Sequence, residues 1–560
     1  MLNRSLLALA VSTTLLTACN NDTNTIEVIK EVEIIKEVAP EEITTVKNVI
    51  LMIGDGMGPQ QVGLLEEYAR RAPQSIYNTK GNMTALSKLS DAGQLGLSLN
   101  APHGSNGSLV VDSACSATQL ATAMAAGSEM IGLDDQGNVV QTILEKAKAK
   151  GKATGLVSDT RITHATPAAF AAHQPHRSYE EAIAEELIES GNVDVMLSGG
   201  ARHFLPVDIN SDLTKRSAMA ALGAPETVYK KSKRNDDRNL LLEAKNDHQY
   251  RLAFDAEQLS NVDEDTTKLL GLFANSGMAD GISYTACKKA QSCTQPSLKA
   301  MTLTALDILS KDEDGFFLMI EGGQIDWAGH VNDAGWMLHE LLKFDEAVEA
   351  VYEWVKDRDD TLVLVTADHE TGSFGFSYSR KDLPAATSLN GDGMQGKDYQ
   401  PNFNFGALSQ LDKLYAQRGT FYDVMDRVDA NWSFANSTGD QWAEAINHYS
   451  EFKVTVEQAM PVAEREANEY YVDGHKYLSA AEFPKVNDFK EFFVYGDEIH
   501  ANLVARALAA DQNVVWGTGT HTAAPVPVYA FGPAGVTKAF STMQHHVDIG
   551  RKMQAALLGQ

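Results

Sequence analysis

Positive charge is in short supply in this chain: 47 Lys and Arg stand against 75 Asp and Glu, a formal net charge of -28 over 560 residues. That balance excludes nucleic acid as a partner, because a phosphate backbone is bound by Lys and Arg that displace its counterions. It also repels a small anionic substrate at long range, so a site for one must carry its own positive charge, which bound metal ions can supply. Long apolar runs are missing too. Beyond the N-terminus nothing approaches the length needed to cross a membrane as a helix. Cysteine is sparse, four in all. Cys287 and Cys293, close together in TACKKAQSC, could close a small disulfide loop in an exported chain, and Cys115 is left single. The remainder, 44% hydrophobic and 22% charged, is ordinary globular composition, long enough for several domains or for one large α/β enzyme with insertions.

The N-terminal stretch MLNRSLLALAVSTTLLTAC has a basic start at Arg4, an apolar run from Leu6 to Leu16 and small residues before Cys19. It reads as a secretory signal. The order Leu16, Thr17, Ala18, Cys19 resembles a bacterial lipoprotein signal, which implies a signal over 1–19 and a lipid on Cys19. The chain would then be exported, periplasmic or cell-surface, and anchored to a membrane; a non-lipidated signal cleaved nearby is the alternative. Residues 20–45 follow as a spacer, with IKEVEI and IKEVAP forming an imperfect repeat that ends near Pro40.

From residue 46 to 560 the chain reads as one catalytic domain. NVILMIG, ATGLVS, VDVMLSG, FFLMIEG, TLVLVTAD and VPVYAFG have the length and β-branched content of buried strands and alternate with helical stretches. That rhythm predicts an α/β fold, a mostly parallel central sheet with helices on both faces. A segment at about 378–460, rich in Asn, Gly, Asp and aromatics, breaks the rhythm and reads as a late insertion.

VVDSACSATQLATAMAAG, residues 110–127, raises a local question. Asp112 or Ser113 is a natural N-cap, Ala117 to Ala126 read as helix, and Gly127 supplies a stop. The start of a helix also offers free N–H groups and a positive dipole end, where a phosphate could be held. Elsewhere the strand ends deliver metal-type ligands: Asp55 after NVILMIG, then Glu321, Asp326 and His330 in FFLMIEGGQIDWAGH, and Asp368 and His369 after TLVLVT. Carboxylates mixed with imidazoles suit Zn²⁺, and an all-oxygen subset suits Mg²⁺.

Taken together, GDGMG, DSA, THAT with Arg177 eleven residues on, EGGQIDWAGH, TADHETG and GTGTHT resemble the alkaline phosphatase family in content and order, from about Lys47 to the C-terminus. Trp327, His164, Cys115 and the late insertion look most like its marine Vibrio-type members. The resemblance implies a zinc held by Asp326, His330 and His521, a second zinc held by Asp55, Asp368 and His369, and a magnesium at Asp55, Thr166 and Glu321 with His164 nearby. Some relatives carry Asp where this chain has His164 and Lys where it has Trp327, which leaves the third metal's identity open.

In that scheme Ser113 is the nucleophile of a phosphomonoesterase that forms a covalent phosphoserine and releases inorganic phosphate. Arg177 grips the phosphoryl group and favours monoesters over diesters. His173, His176, His203, His545 and His546 are expected to be structural or solvated, and Cys115 a packing residue. A phosphodiesterase or sulfatase of the same superfamily is the rival, although SACSATQ has neither the diesterase threonine nor a Cys/Ser-x-Pro-x-Arg stretch; a lipoprotein that only sequesters zinc or phosphate is another. The insertion, with Tyr399, Phe403, Phe405, Tyr415, Phe421, Tyr422 and Trp432, is expected to reach over the partner subunit of a homodimer, the alternative being a cap packed on its own subunit.

Overall fold

Asn48–Gly54 (β1) is buried at every position, and its alternate side chains enter different cores. Ile50 and Met52 pack on one side of the sheet, Val49, Leu51 and Ile53 on the other. A strand covered on both faces must be apolar without interruption, which is why NVILMIG shows no polar alternation. The structure, a computed structural model, describes residues 45–559; the expected signal, Cys19 and nearly all of the spacer lie outside the described residues.

The other strands of the sheet are Gln94–Leu99 (β2), Ala153–Arg161 (β3), Val195–Gly199 (β4), Arg251–Ala253 (β5), Leu269–Leu272 (β6), Phe316–Gly322 (β7), Thr361–Thr366 (β8), Val526–Phe531 (β9) and Met543–His545 (β10). They form one ten-stranded sheet in the order β10-β2-β9-β8-β1-β7-β3-β4-β6-β5. All pairings are parallel except those of β9 with β2 and β8. All six predicted strands are present. Four of the short or edge strands, β2, β5, β6 and β10, carried too little apolar length to be read from the sequence.

Register positions the chemistry. Ile53 lies beside Glu321 of β7 on one side and Thr366 of β8 on the other, while Ser158 of β3 lies beside Glu321. Asp55, Glu321 and Asp368 therefore leave the sheet at the same end, where ligands of open α/β sheets bind.

One expectation needs correction. The helix after Asp112 runs Ser113–Thr122, four residues earlier than the small-residue run suggested. Asp112 caps it through Ala114 N and Cys115 N, and Ala123, left-handed at φ 61°, closes it, so Gly127 is not the stop. Between Phe376 and Ile499 the chain adds no strand to the central sheet.

Much of this lobe belongs to the main core. Leu411, Leu414, Phe421, Val424, Met425, Trp442 and Ile446 are buried in the cluster that holds the Ala334–Val355 helix. Asp333, the cap of that helix, accepts hydrogen bonds from Gln417 Nε2 at 2.8 Å and Phe421 N at 2.9 Å. Of the aromatics singled out above, Phe421 is buried and Tyr415 and Tyr422 pack against this cluster. Tyr399 and Phe403 are exposed on an arm closed at its base by paired backbone hydrogen bonds between Ser379 and Asn404, and Phe405 is exposed beside that base. Cys287 and Cys293 are disulfide-bonded and Cys115 is free and buried. Among the described residues, no helix is long and apolar enough to cross a membrane.

Candidate metal centre and active site

The Gln324–His330 helix starts directly after β7 and carries Asp326 and His330 four residues apart, on one face. A loop before β9 brings His521 opposite Thr371 in a short antiparallel pairing. One ligand atom from each of Asp326, His330 and His521 falls within 4.8 Å of the other two. His330 Nε2 is 3.3 Å from Asp326 Oδ2, and His521 Nε2 is 3.5 Å from Asp326 Oδ1 and 3.2 Å from His330 Nε2.

The far side of each ring fixes its tautomer. His330 Nδ1 lies 2.8 Å from the Gly519 carbonyl and His521 Nδ1 2.8 Å from the Val111 carbonyl. A carbonyl can only accept, so each Nδ1 carries the proton and each Nε2 offers a lone pair. Two lone pairs and a carboxylate aimed at one point are a donor set for a cation, and the N/O mixture suits Zn²⁺. Without one, a proton can substitute: against the opposing effect of burial, Asp326 holds His330 up at about 9, while burial takes His521 down to about 4.

Asp55, Asp368 and His369 form a second such group, all fully buried. His369 Nε2 is 3.1 Å from Asp368 Oδ2, 3.5 Å from Asp55 Oδ1 and 3.1 Å from Ser113 Oγ. The third group is Asp55, Glu321 and His164, with Thr166 Oγ1 3.4 Å from Asp55 Oδ2. His164, placed only nearby by the sequence, thus offers a ligand atom itself.

These groups fit cations on a separate observation. Asp55 Oδ1, Glu321 Oε1, Asp368 Oδ2 and His164 Nδ1 are buried with no hydrogen-bond partner, a costly arrangement unless another charge completes it. Left to themselves the carboxyls hold their protons. Burial, reinforced by neighbouring carboxylates, keeps Asp55 well above its usual range, and burial pushes Glu321 up to about 8 and Asp368 to about 7.

Ser113, 1% exposed, is the first residue of its helix, and the capping carboxylate beside it has a second task. Asp112 Oδ2 lies 3.2 Å from Arg177 Nη1, and Arg177 Nη2 lies 3.4 Å from His164 Nε2. Arg177 is therefore held beside the serine and is not a surface residue of HQPHRS. Trp327 stands edge-on to His164 at 5.9 Å between ring centres.

Ser116 and His546 have structural tasks. Ser116 Oγ donates to the Asp368 carbonyl at 2.8 Å, and His546 Nε2 donates to the same oxygen at 2.9 Å. The other histidines behave as expected. His173 bonds Gly132 O and Glu145, His203 pairs with Glu180, His545 caps the last helix, and the half-buried His176 pairs with Glu129. Cys115 packs with Val111 and Ala126, and burial pushes its thiol up, which makes it a poor nucleophile.

A family model described as alkaline phosphatase matches residues 46–558. The chain belongs to the alkaline phosphatase family. It is 29% identical to alkaline phosphatase 3 of Bacillus subtilis, over 90% of this chain and 91% of that one. It is 33% identical to the Escherichia coli alkaline phosphatase over 58% of this chain and 70% of that one. Among solved structures, it resembles the Thermus thermophilus alkaline phosphatase with a TM-score of 0.67 and 25% identity, covering 92% of each chain.

Members of the alkaline phosphatase family are metal-dependent enzymes, in agreement with the three donor groups. Several supporting residues left no mark in the sequence. Lys343, buried in the Ala334–Val355 helix, pairs with Glu340 and, at 3.0 Å, with Asp159. Asp159 in turn accepts the Gly323 N–H at 2.7 Å and so fixes the turn between Glu321 and Asp326. An amphipathic pattern cannot reveal that a lysine points inward to a carboxylate over 180 residues away.

Proposed function

We propose that this member of the alkaline phosphatase family is an exported phosphomonoesterase that works through a covalent phosphoserine on Ser113. The observation that carries the reading is the 3.1 Å approach of Ser113 Oγ to His369 Nε2 at the start of a helix, with Arg177 beside it. Asp326, His330 and His521 would hold one Zn²⁺, Asp55, Asp368 and His369 a second, and Asp55, Thr166 and Glu321 with His164 an Mg²⁺. Bound there, they supply the positive charge that offsets charge developing on the attacking and departing oxygens.

The chain's own groups do the rest. Ser113 Oγ bonds to phosphorus as the ester P–O bond breaks, and the proton given up by the hydroxyl balances the departing alkoxide, which leaves as the alcohol. Water then cleaves the seryl phosphate, restoring the serine and releasing inorganic phosphate. Arg177, its fork aligned by Asp112, takes two non-bridging oxygens, which a doubly charged monoester offers best. The Ser113 N–H, the one N–H of the first turn that Asp112 does not take, adds to that cradle.

Export, a lipid on Cys19, membrane attachment and a homodimer built through the late insertion complete the proposal. They rest on the N-terminal motif and the exposed aromatic arm. The decisive experiment measures metal content with turnover of a phosphate monoester and a diester on one purified sample. Bound zinc and magnesium with strong monoester preference are expected; diester preference, or turnover by exhaustively metal-free protein, overturns the reading.

A further inference from the structure

Tyr495 lies in the last stretch of the lobe, far in sequence from every motif above. Its ring centre is 5.1 Å from that of His330, at 85°. Tyr477 continues outward from it, 5.0 Å away at 81°. Tyr495 is only partly buried, and it is close enough to Asp326 and Arg177 for their charges to act on its hydroxyl. Among the described residues that hydroxyl has no hydrogen-bond partner, so no polar contact of the fold requires it.

The backbone leading to Tyr495 is held by the loop that serves the metal ligands. Thr518 Oγ1 and Gly519 N both donate to the Phe492 carbonyl, at 2.9 and 3.2 Å. Gly519 is the residue whose carbonyl fixes His330, and two positions later the loop delivers His521. Gly496, the next residue, leaves no room for a side chain: a Cβ there would come within 2.7 Å of Phe483. The backbone on either side of Tyr495 is thus fixed, and its ring lies next to the zinc-type group of Asp326, His330 and His521.

We infer that Tyr495, with Tyr477 beyond it, is a specificity-determining aromatic wall for the alcohol half of the substrate, favouring monoesters with a planar ring on the ester oxygen or one carbon from it. This rests on the phosphomonoesterase reading: Ser113 sits 3.1 Å from His369 of one metal group, which leaves the other group, with His330, for the departing ester oxygen. A flat ring leaving from that point meets the Tyr495 ring, and offset or edge-to-face contact between aromatic rings is favourable beyond simple burial. A saturated ring of similar size lacks the π-system and gains only the apolar part.

The test compares benzyl phosphate with cyclohexylmethyl phosphate, matched in size and in the reactivity of the leaving group. In the full chain carrying Tyr495→Leu, the ratio of kcat/KM for the two should fall by about 3- to 10-fold, the range expected of one aromatic pair. Tyr495→Phe should keep the wild-type ratio, and inhibition by inorganic phosphate, which has no ring, should be unchanged in both variants. An unchanged ratio in Tyr495→Leu, with both esters still hydrolysed, overturns the aromatic wall and leaves the phosphomonoesterase reading standing. Failure of the unmodified protein to hydrolyse either ester overturns that reading instead. Equal loss on both substrates assigns Tyr495 a supporting role for His330 and also ends the inference.

Discussion

His330 Nε2 and His521 Nε2 face each other across 3.2 Å while the opposite nitrogen of each ring donates to a backbone carbonyl. A cation, or failing that a proton on His330, must lie between the two rings, since otherwise each presents a lone pair to the other. His521→Ala removes one of the three donors and should lower bound zinc by one equivalent per chain, leaving the Asp55, Asp368 and His369 group loaded. Metal analysis of the purified variant reads this directly. Undiminished zinc would place that ion elsewhere.

Metal removal should make stability depend on pH in a defined direction. Glu321 and Asp368, held up at about 8 and about 7 by burial when no cation balances them, have ordinary carboxylate values of about 4 in the unfolded chain. Groups whose folded value is raised contribute stability below the unfolded value and lose it as pH rises through the folded one. Chelated protein should therefore melt at progressively lower temperature between about pH 5 and 8, and restoring metal should flatten that slope. A metal-free melting profile that rises over this interval would contradict the burial argument.

The two serines of DSACS are separable. Ser113→Ala should abolish trapping of phosphoenzyme and lower turnover by roughly three orders of magnitude or more, as loss of a nucleophile does, while the metals stay bound. Ser116→Ala removes only the hydrogen bond to the Asp368 carbonyl, a change on the order of 1 kcal/mol, and should keep phosphoserine formation. Radiolabelled phosphate at acid pH, followed by peptide mapping, distinguishes them; label on Ser116 would reverse the assignment.

Arg177→Ala should weaken the monoester transition state by roughly 1.5 to 3 kcal/mol, the scale of hydrogen bonds to charged groups, and harm diesters less. Steady-state kcat/KM for both substrate classes measures it. Asp112 is then left without its partner, so Asp112→Asn, which keeps the cap but weakens the alignment of the guanidinium, should show a milder loss of the same kind.

Legibility followed length and periodicity. The long buried strands announced themselves because both faces are covered, and strand-end carboxylates such as Asp55 and Asp368 were readable because a parallel sheet delivers its ligands at one end. The Ser113 helix was placed late because its first turn, SACS, looks like a loop and only the three-dimensional cap at Asp112 marks the true start. His164 as a direct ligand, Arg177 paired with Asp112, and Tyr495 beside His330 depend on contacts across 13 to 165 residues, for which local pattern carries no signal. The packing of the lobe is hard to read for a related reason: its helices are short, and their apolar faces make sense only against the Ala334–Val355 helix that they cover.

That last point changes how the proposed homodimer must be tested. Deleting the whole segment from 378 to 460 would strip Leu414, Phe421, Met425 and Trp442 from the main core, and any change in assembly would be confounded by unfolding. The exposed arm can be removed by itself. Ser379 and Asn404 already pair backbone to backbone, with Ser379 N to Asn404 O at 2.8 Å and Asn404 N to Ser379 O at 3.0 Å, so residues 380–403 can be replaced by a short Gly-containing turn without moving either end. The arm carries Leu383, Leu389, Tyr399 and Phe403, each more than 40% exposed, and flanking it Tyr378 and Phe405 meet at a tilt, 5.1 Å between ring centres, while remaining open to solvent. Exposed aromatics gathered in this way are the composition of an interface core and costly to leave in water. Removing the arm should convert a dimer into a monomer in sedimentation velocity, with zinc content retained because every proposed ligand lies outside it. Single changes of Phe403 and Phe405 to Ser, which cannot disturb the fold beneath, should weaken the dimer in the same direction. An armless protein that binds zinc and still sediments as a dimer would assign the interface to another face, and the exposed edge of the sheet, where Leu97, Leu99 and Met543 are solvent-facing on β2 and β10, would be the next surface to alter.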